Sequence, residues 1–231
     1  MSFRYLSLAF GFAMVALASC TPKNNPPAPE VTPAKEEPKI ESPQGSHNFR
    51  EIGTVWNYDA KSYLTENNKT ATIDHTITRK AVKTETVNNI KCVVIEALDS
   101  RFSGTSTEYI GEGPEGIYVS APQSKELVLI SKPGAHEGDA WEVKYPALIE
   151  GGMLIKGTAK RLKDTTITTP LGEIAVEPVE ITVQKEAVFD SVIKETAIYY
   201  LSRKVGVVML KRAGESKPIS EEKLVKYEGK K

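Results

Sequence analysis

Three histidines and two cysteines supply most of the metal-ligand and nucleophile chemistry open to this chain. His47, His75 and His136 fall at no metal-ligand spacing, and Cys92 is alone in the folded part, so no zinc set can be assembled from neighbours in sequence. His136-Glu137-Gly138-Asp139 is the densest local cluster for a metal or an acid–base pair, but its glycine marks a solvated turn. His75 alternates with Ile73 and Ile77, which suits a packed or rim histidine. Gly111-Glu112-Gly113-Pro114-Glu115-Gly116 has the letters of a dinucleotide fingerprint. That fingerprint needs a helix whose free amides face a pyrophosphate. Here Pro114 removes an amide, two glutamates repel phosphate and a strand-like run follows, so a hairpin loop is expected. No Gly-x-Ser-x-Gly elbow is present. Carboxylates are plentiful, which leaves open an acid–base pair assembled in three dimensions. No cofactor, no metal and no enzymatic activity are expected.

Aromatic residues are the remaining candidates. Trp56, Tyr58, Trp141, Tyr145 and Tyr199 could face a ligand in a cavity, or pack as core with about 150–250 Å² buried by each. Their setting is strand-like. Trp56, Tyr58 and Ala60 alternate with Asn57, Asp59 and Lys61; Ala71, Ile73, His75 and Ile77 alternate with polar residues; so do Trp141, Val143 and Tyr145. Period-two alternation with one apolar face is the mark of a half-buried antiparallel strand. Turn signals separate these runs at Asn67-Asn68, Asn88-Asn89, Gly138-Asp139, Gly151-Gly152 and Pro170-Leu171-Gly172. Ser220 to Tyr227 fits either a short capped helix or a last strand. Cys92 lies in Ile90-Lys91-Cys92-Val93-Val94-Ile95 and reads as a small buried apolar residue. The expected fold is all-β and mainly antiparallel: a curled, meandering sheet, half-barrel or barrel-like.

The N-terminal part has a different character. Arg4 and an apolar stretch from Leu6 to Leu17 form a secretory signal too short to span a bilayer, which takes roughly 20 apolar residues. The segment ends Leu17-Ala18-Ser19-Cys20, which resembles a bacterial lipobox. The resemblance implies cleavage after residue 19, a diacylglyceryl group on the Cys20 thiol and a bilayer as partner. Thr21 rather than Asp after the anchor implies, by the same resemblance, the outer membrane facing the periplasm. Pro22, Pro26, Pro27, Pro29, Pro33, Pro38 and Pro43 then interrupt a polar stretch without a core, so residues 20–46 read as a lipid-anchored linker. Its extended reach is on the order of 80 Å at about 3.1 Å per residue. Residues 47–231 remain for one β-rich domain. A formal net charge of +0 gives no footprint for nucleic acid.

Several short motifs follow one another along the chain: Gly53-Thr54-Val55-Trp56-Asn57-Tyr58, Gly138-Asp139-Ala140-Trp141, and Tyr199-Tyr200 followed by Val205-Gly206-Val207-Val208. In this order the chain resembles bacterial envelope lipoproteins with a LolA-like or DUF3108-like domain. The resemblance implies a β-rich fold and brings no catalytic residues. Lipid carriers among such proteins cover their apolar interior with helices, and no such helix is apparent here. The sequence therefore points to a non-enzymatic binding or interaction module that engages an envelope protein, glycan or lipid. A carrier or sensor of an apolar ligand is the alternative.

Overall fold

The computed structural model describes residues 51–66, 69–120, 123–144, 155–186, 192–215 and 217–229. The signal segment, Cys20, the linker, Tyr145 and the Asn67-Asn68 and Gly151-Gly152 turns lie outside the described residues. Every regular element described is a strand. In chain order these are β1 (Val55–Glu66), β2 (Lys69–Val87), β3 (Ile90–Asp99), β4 (Thr105–Gly113), β5 (Gly116–Ser120) and β6 (Leu127–Ser131). Then come β7 (Ala140–Lys144), β8 (Ile155–Arg161), β9 (Thr165–Thr169), β10 (Gly172–Glu186), β11 (Val192–Ser202), β12 (Gly206–Ala213) and β13 (Pro218–Glu228). Ser220 to Tyr227 is thus the last strand rather than a helix.

All pairings are antiparallel, in the order β6-β5-β4-β3-β2-β1-β13-β12-β11-β10-β8-β7. The sheet is a meander cut in the middle of its spatial order: β1 and β13, the two chain ends of the domain, lie side by side. It curls into a nearly closed barrel whose seam lies between β6 and β7. No ladder joins these two strands; instead the Trp141 indole donates to the Leu129 carbonyl across the seam at 3.2 Å.

The alternation expected on β1 is realised. Trp56, Tyr58 and Ala60 are buried while Asp59 and Lys61 are exposed. Lateral partners carry the same face around the lumen, through Arg79 and Ile77 on β2, Ile95 on β3, Val179 and Ile181 on β10 and Leu224 on β13. β3 is buried on both faces. Val93 and Ile95 join the lumen core, whereas Cys92 and Val94 pack with Val87 and Tyr109 in a second cluster on the outer side. The β5–β6 connection lies against that outer cluster, with the Lys125 ammonium 5.7 Å from the Tyr109 ring centre. Gly111 has no side chain because one would sit 2.7 Å from the Cys92 sulfur.

The turns follow the residues that mark them. Asn88 and Asn89 both adopt positive φ, as a two-residue hairpin turn requires. Pro114 and Glu115 link β4 to β5, so the glycine-rich run is a hairpin loop. β10 is shared along its length. Gly172 to Val176 pairs β9, and Val179 to Lys185 pairs β8. The β9–β10 hairpin therefore extends past the neighbouring strands as a two-stranded flap, and Ile167, Ile174 and Val176 pack it onto the core at one end of the barrel, here called the base.

Gly116 has φ +139 and an added Cβ would lie 1.8 Å from the Ser131 carbonyl. Gly116→Ala should therefore lower unfolding stability by about 2 kcal/mol or more in urea titrations, combining positive-φ strain with a backbone clash. Trp141→Phe keeps the packing and loses the seam hydrogen bond, and should cost about 1 kcal/mol in the same measurement.

Candidate functional site

The lumen divides by chemistry along its length. Near the base it is aromatic and aliphatic; towards the opposite end charged side chains project inward from four strands. Arg79 of β2 is central. Its Nε donates to Glu108 Oε2 at 2.8 Å and its Nη2 to Glu108 Oε1 at 3.3 Å, a bidentate grip on a β4 carboxylate. Its Nη1 donates to Glu222 Oε2 on β13 at 2.7 Å. The guanidinium also lies 4.9 Å from the Tyr58 ring centre. The three charged side chains are 14 %, 14 % and 9 % exposed, so their pairing is largely shielded from water. Burial works against the charge on Arg79, but Glu108 and Glu222 hold it firmly protonated.

The tyrosines are fixed or shielded in the same space. Tyr58 donates its hydroxyl to the Val207 carbonyl at 2.9 Å, and Trp56 donates its indole N–H to the Val205 carbonyl at 2.8 Å. Burial pushes the Tyr58 hydroxyl well above the ordinary tyrosine range, with the Arg79 charge pulling the other way. Burial likewise raises Tyr199. These groups surround a cavity of about 60 Å³ whose wall also includes Ile95, Leu210 and Arg212. Arg212, near the end of β12, is exposed at its outer edge. A volume of this size admits a few waters or a small head group. Drug-sized ligands occupy about 300–1,000 Å³, and an acyl chain has no room here.

Two further polar clusters flank the lumen. Beyond Arg79, the His75 side chain is only 3 % exposed and its Nε2 lies 3.7 Å from Asp99 Oδ2. Arg101 donates through Nε to Asp99 at 3.0 Å and through Nη1 to Ser62 at 2.6 Å, and this contact with Arg101 holds the Asp99 carboxyl below its usual range. At the base, buried Arg161 donates to the Leu162 and Pro178 carbonyls and ion-pairs with Asp164, and Glu177 bridges Arg161 to Arg203. There the flap and the β11–β12 turn enclose an open groove of about 570 Å³, with Ile174, Val176, Leu201 and Val205 on its floor. His136 and Asp139 form a local turn, the carboxylate accepting from the His136 amide at 2.8 Å. Among the described residues no cluster of three or more His, Cys, Asp or Glu is placed to hold a metal.

Of the aromatic candidates, Trp56, Tyr58 and Tyr199 line one cavity. Trp141 is part of the core at the seam, with Lys132 over its ring, and does not reach that cavity. Tyr145 lies outside the described residues. Arg79, Glu108, Arg212 and Glu222 were not singled out from sequence. The available signal was positional: Arg79 continues the inward set of His75 and Ile77, and a charged residue at a core position demands a partner.

No protein-family model and no curated protein matches the chain. Two solved structures resemble it. A Bacteroides fragilis protein described as exported and YmcC-like in fold aligns with TM-score 0.52 and 10% identity, over 78% of this chain and 97% of its own. A Parabacteroides distasonis protein described as a lipoprotein aligns with TM-score 0.41 and 13% identity, over 80% of this chain and 99% of its own. The first likeness defines the class at the level of fold: an all-β, barrel-shaped domain of the YmcC-like kind. The LolA-like and DUF3108-like likeness is not among these matches.

Two measurements test the site. Arg79→Met leaves two carboxylates facing each other without their cation and should cost about 3–5 kcal/mol at neutral pH. In the wild type, folded Tyr58 and Tyr199 resist ionisation while unfolded tyrosines ionise near pH 10. Their contribution is therefore complete below about pH 10 and is lost as pH rises beyond it. The melting temperature should fall more steeply with alkaline pH in the wild type than in Tyr199→Phe.

Proposed function

We propose that the chain is a lipid-anchored protein of the bacterial cell envelope whose barrel is a non-enzymatic binding module, taking its ligand at the charged end of the lumen. The observation that carries this reading is the cavity between Tyr58, Tyr199, Arg79, Glu222 and Arg212. It joins aromatic walls to fixed charges, one of which, Arg212, is exposed and has no ion pair among the described residues. Glu108 and Glu222 are both engaged by Arg79, an arrangement that holds charge in place rather than relaying protons. Anchoring through Cys20 and a Pro-rich tether, at the outer membrane and facing the periplasm, is consistent with a fold neighbour described as exported. Kinship to LolA-like or DUF3108-like envelope proteins belongs with this proposal and rests on the short motifs around Trp56, Trp141 and Gly206.

A carrier or sensor of an apolar ligand is the second reading. The lumen gives it little support, because its cavity is small and its end is charged. The basal groove favours it more, since its apolar floor and volume of about 570 Å³ suit an amphiphile. Native mass spectrometry of protein extracted from its own membrane separates the two. A polar small molecule retained by the wild type and lost in Arg212→Ala supports the lumen. An amphiphile lost in Val205→Glu but kept in Arg212→Ala supports the groove.

The anchor has its own test. Cys20→Ser should abolish incorporation of labelled palmitate and move the protein from the membrane to the soluble fraction. Unchanged labelling of that variant would remove the lipid anchor from the proposal.

A further inference from the structure

Two carboxylates face one guanidinium in the lumen, so the Arg79 cluster is one charge short of neutrality. A net charge in a shielded site is costly until something of opposite sign joins it. Glu222 uses Oε2 on Arg79, and its Oε1 meets no donor among the described residues although the side chain is only 9 % exposed. Besides Arg79, the cation on the cavity wall is Arg212, which stays at the outer edge, exposed and forming no ion pair among the described residues, while Arg101, which also feels the Glu222 charge, is held by Asp99. Register places the two charges. Leu210 pairs Glu222 and Arg212 pairs Ser220, so Arg212 and Glu222 are diagonal neighbours across β12 and β13, about 7–8 Å apart at the backbone. The residues flanking Arg212 on the adjacent strands, Ala197 and Ser220, are small and leave its guanidinium room.

Resting on the reading of the lumen as the ligand site, we infer that its ligand is a small zwitterion of amino-acid type, bound with its ammonium inward on Glu222 and its carboxylate outward on Arg212. An ammonium with one or two carbons suits a cavity of about 60 Å³. The rings of Tyr58 and Tyr199 add the attraction of aromatic faces for a desolvated cation. The carboxylate then forms a charge-assisted pair with a guanidinium that has no ion pair among the described residues. A bare anion would meet the excess negative charge of the cluster; a bare cation would meet Arg212 at the entrance.

Trp56 lines the cavity and is one of only two tryptophans, so Trp141→Phe leaves a single fluorescent reporter at the site. The full chain carrying that substitution, in detergent micelles, would be titrated with β-alanine, ethylammonium, propionate and propanamide. β-Alanine should bind tightest, by on the order of ten-fold over each singly charged probe. Adding Arg212→Glu, an exposed change that spares the core, should weaken β-alanine by on the order of ten-fold and favour 1,3-diaminopropane instead. Glu222→Gln should weaken ethylammonium. Propionate or propanamide binding tightest, or an Arg212→Glu protein with unchanged preference, would overturn the zwitterion while leaving a lumen site in place. Silence of Trp56 towards every probe would overturn both.

Discussion

A guanidinium enclosed by a barrel is tolerable only if the sheet brings carboxylates to it from several directions, and this one bends to do so. Arg79 reaches Glu108 over a separation of 29 residues and Glu222 over 143. Its neighbour below is the ring of Tyr58. Four strands, β1, β2, β4 and β13, thus converge on a single planar cation. Removing charged groups from water costs several kcal/mol per ion, and only close pairing on several sides offsets it. A flat sheet would leave Glu108 and Glu222 on either side of Arg79 without bringing all three together. Curvature and charge pairing therefore require each other here.

That dependence explains which parts of the molecule sequence reveals. Alternation at Trp56, Tyr58 and Ala60 is a local property of a strand with one wet face, and it reports the lumen side directly. Turn chemistry is equally local, as the positive φ of Asn88, Asn89 and Gly172 bears out. The charged cluster is not local at all. Glu108 sits among Thr105, Ser106 and Thr107, and Glu222 among Ser220, Glu221 and Lys223, where a carboxylate looks like ordinary surface. Only the register between strands shows that Glu222 faces inward and Glu221 does not. The same polar context made Ser220 to Tyr227 compatible with a helix. What makes it a strand is tertiary, because β1 on one side and β12 on the other supply its backbone partners. For Trp141 alternation marks the inward face but not the partner: the seam rather than the cavity takes its indole, which packs as core.

The lumen also bears on what kinds of ligand the fold accommodates. A carrier of acyl chains needs apolar volume that stays dry and open. Here Trp56, Tyr58, Ile95, Val179, Ile181 and Leu224 fill the lower lumen, and each is 3 % exposed or less. In the upper lumen small residues lie beside the polar ones, Ala60 across from His75, Ala97 from Arg79 and Ala197 from Arg212. Polarity thus increases along the barrel, from the aromatic and aliphatic lower lumen to the Arg79 cluster. The basal flap has the opposite balance, with an apolar floor and charges held in mutual pairs by Arg161, Glu177 and Arg203.

Closure of such a barrel is a long-range event. β1 and β13 are the first and last strands, and their pairing from Val55 with Glu228 to Ser62 with Ser220 spans nearly the whole domain. Topologies dominated by distant contacts assemble slowly, because loop entropy is lost before the contacts form. Until β13 docks, Arg79 has Glu108 but lacks Glu222, and Tyr58 and Trp56 lack the Val207 and Val205 carbonyls that satisfy their polar tips. The same docking step completes the charge cluster, caps two aromatic donors and, with β12 in place, positions Arg212 at the mouth. A partly assembled sheet gains little from any one of these alone, so the site and the closed barrel form as one cooperative unit.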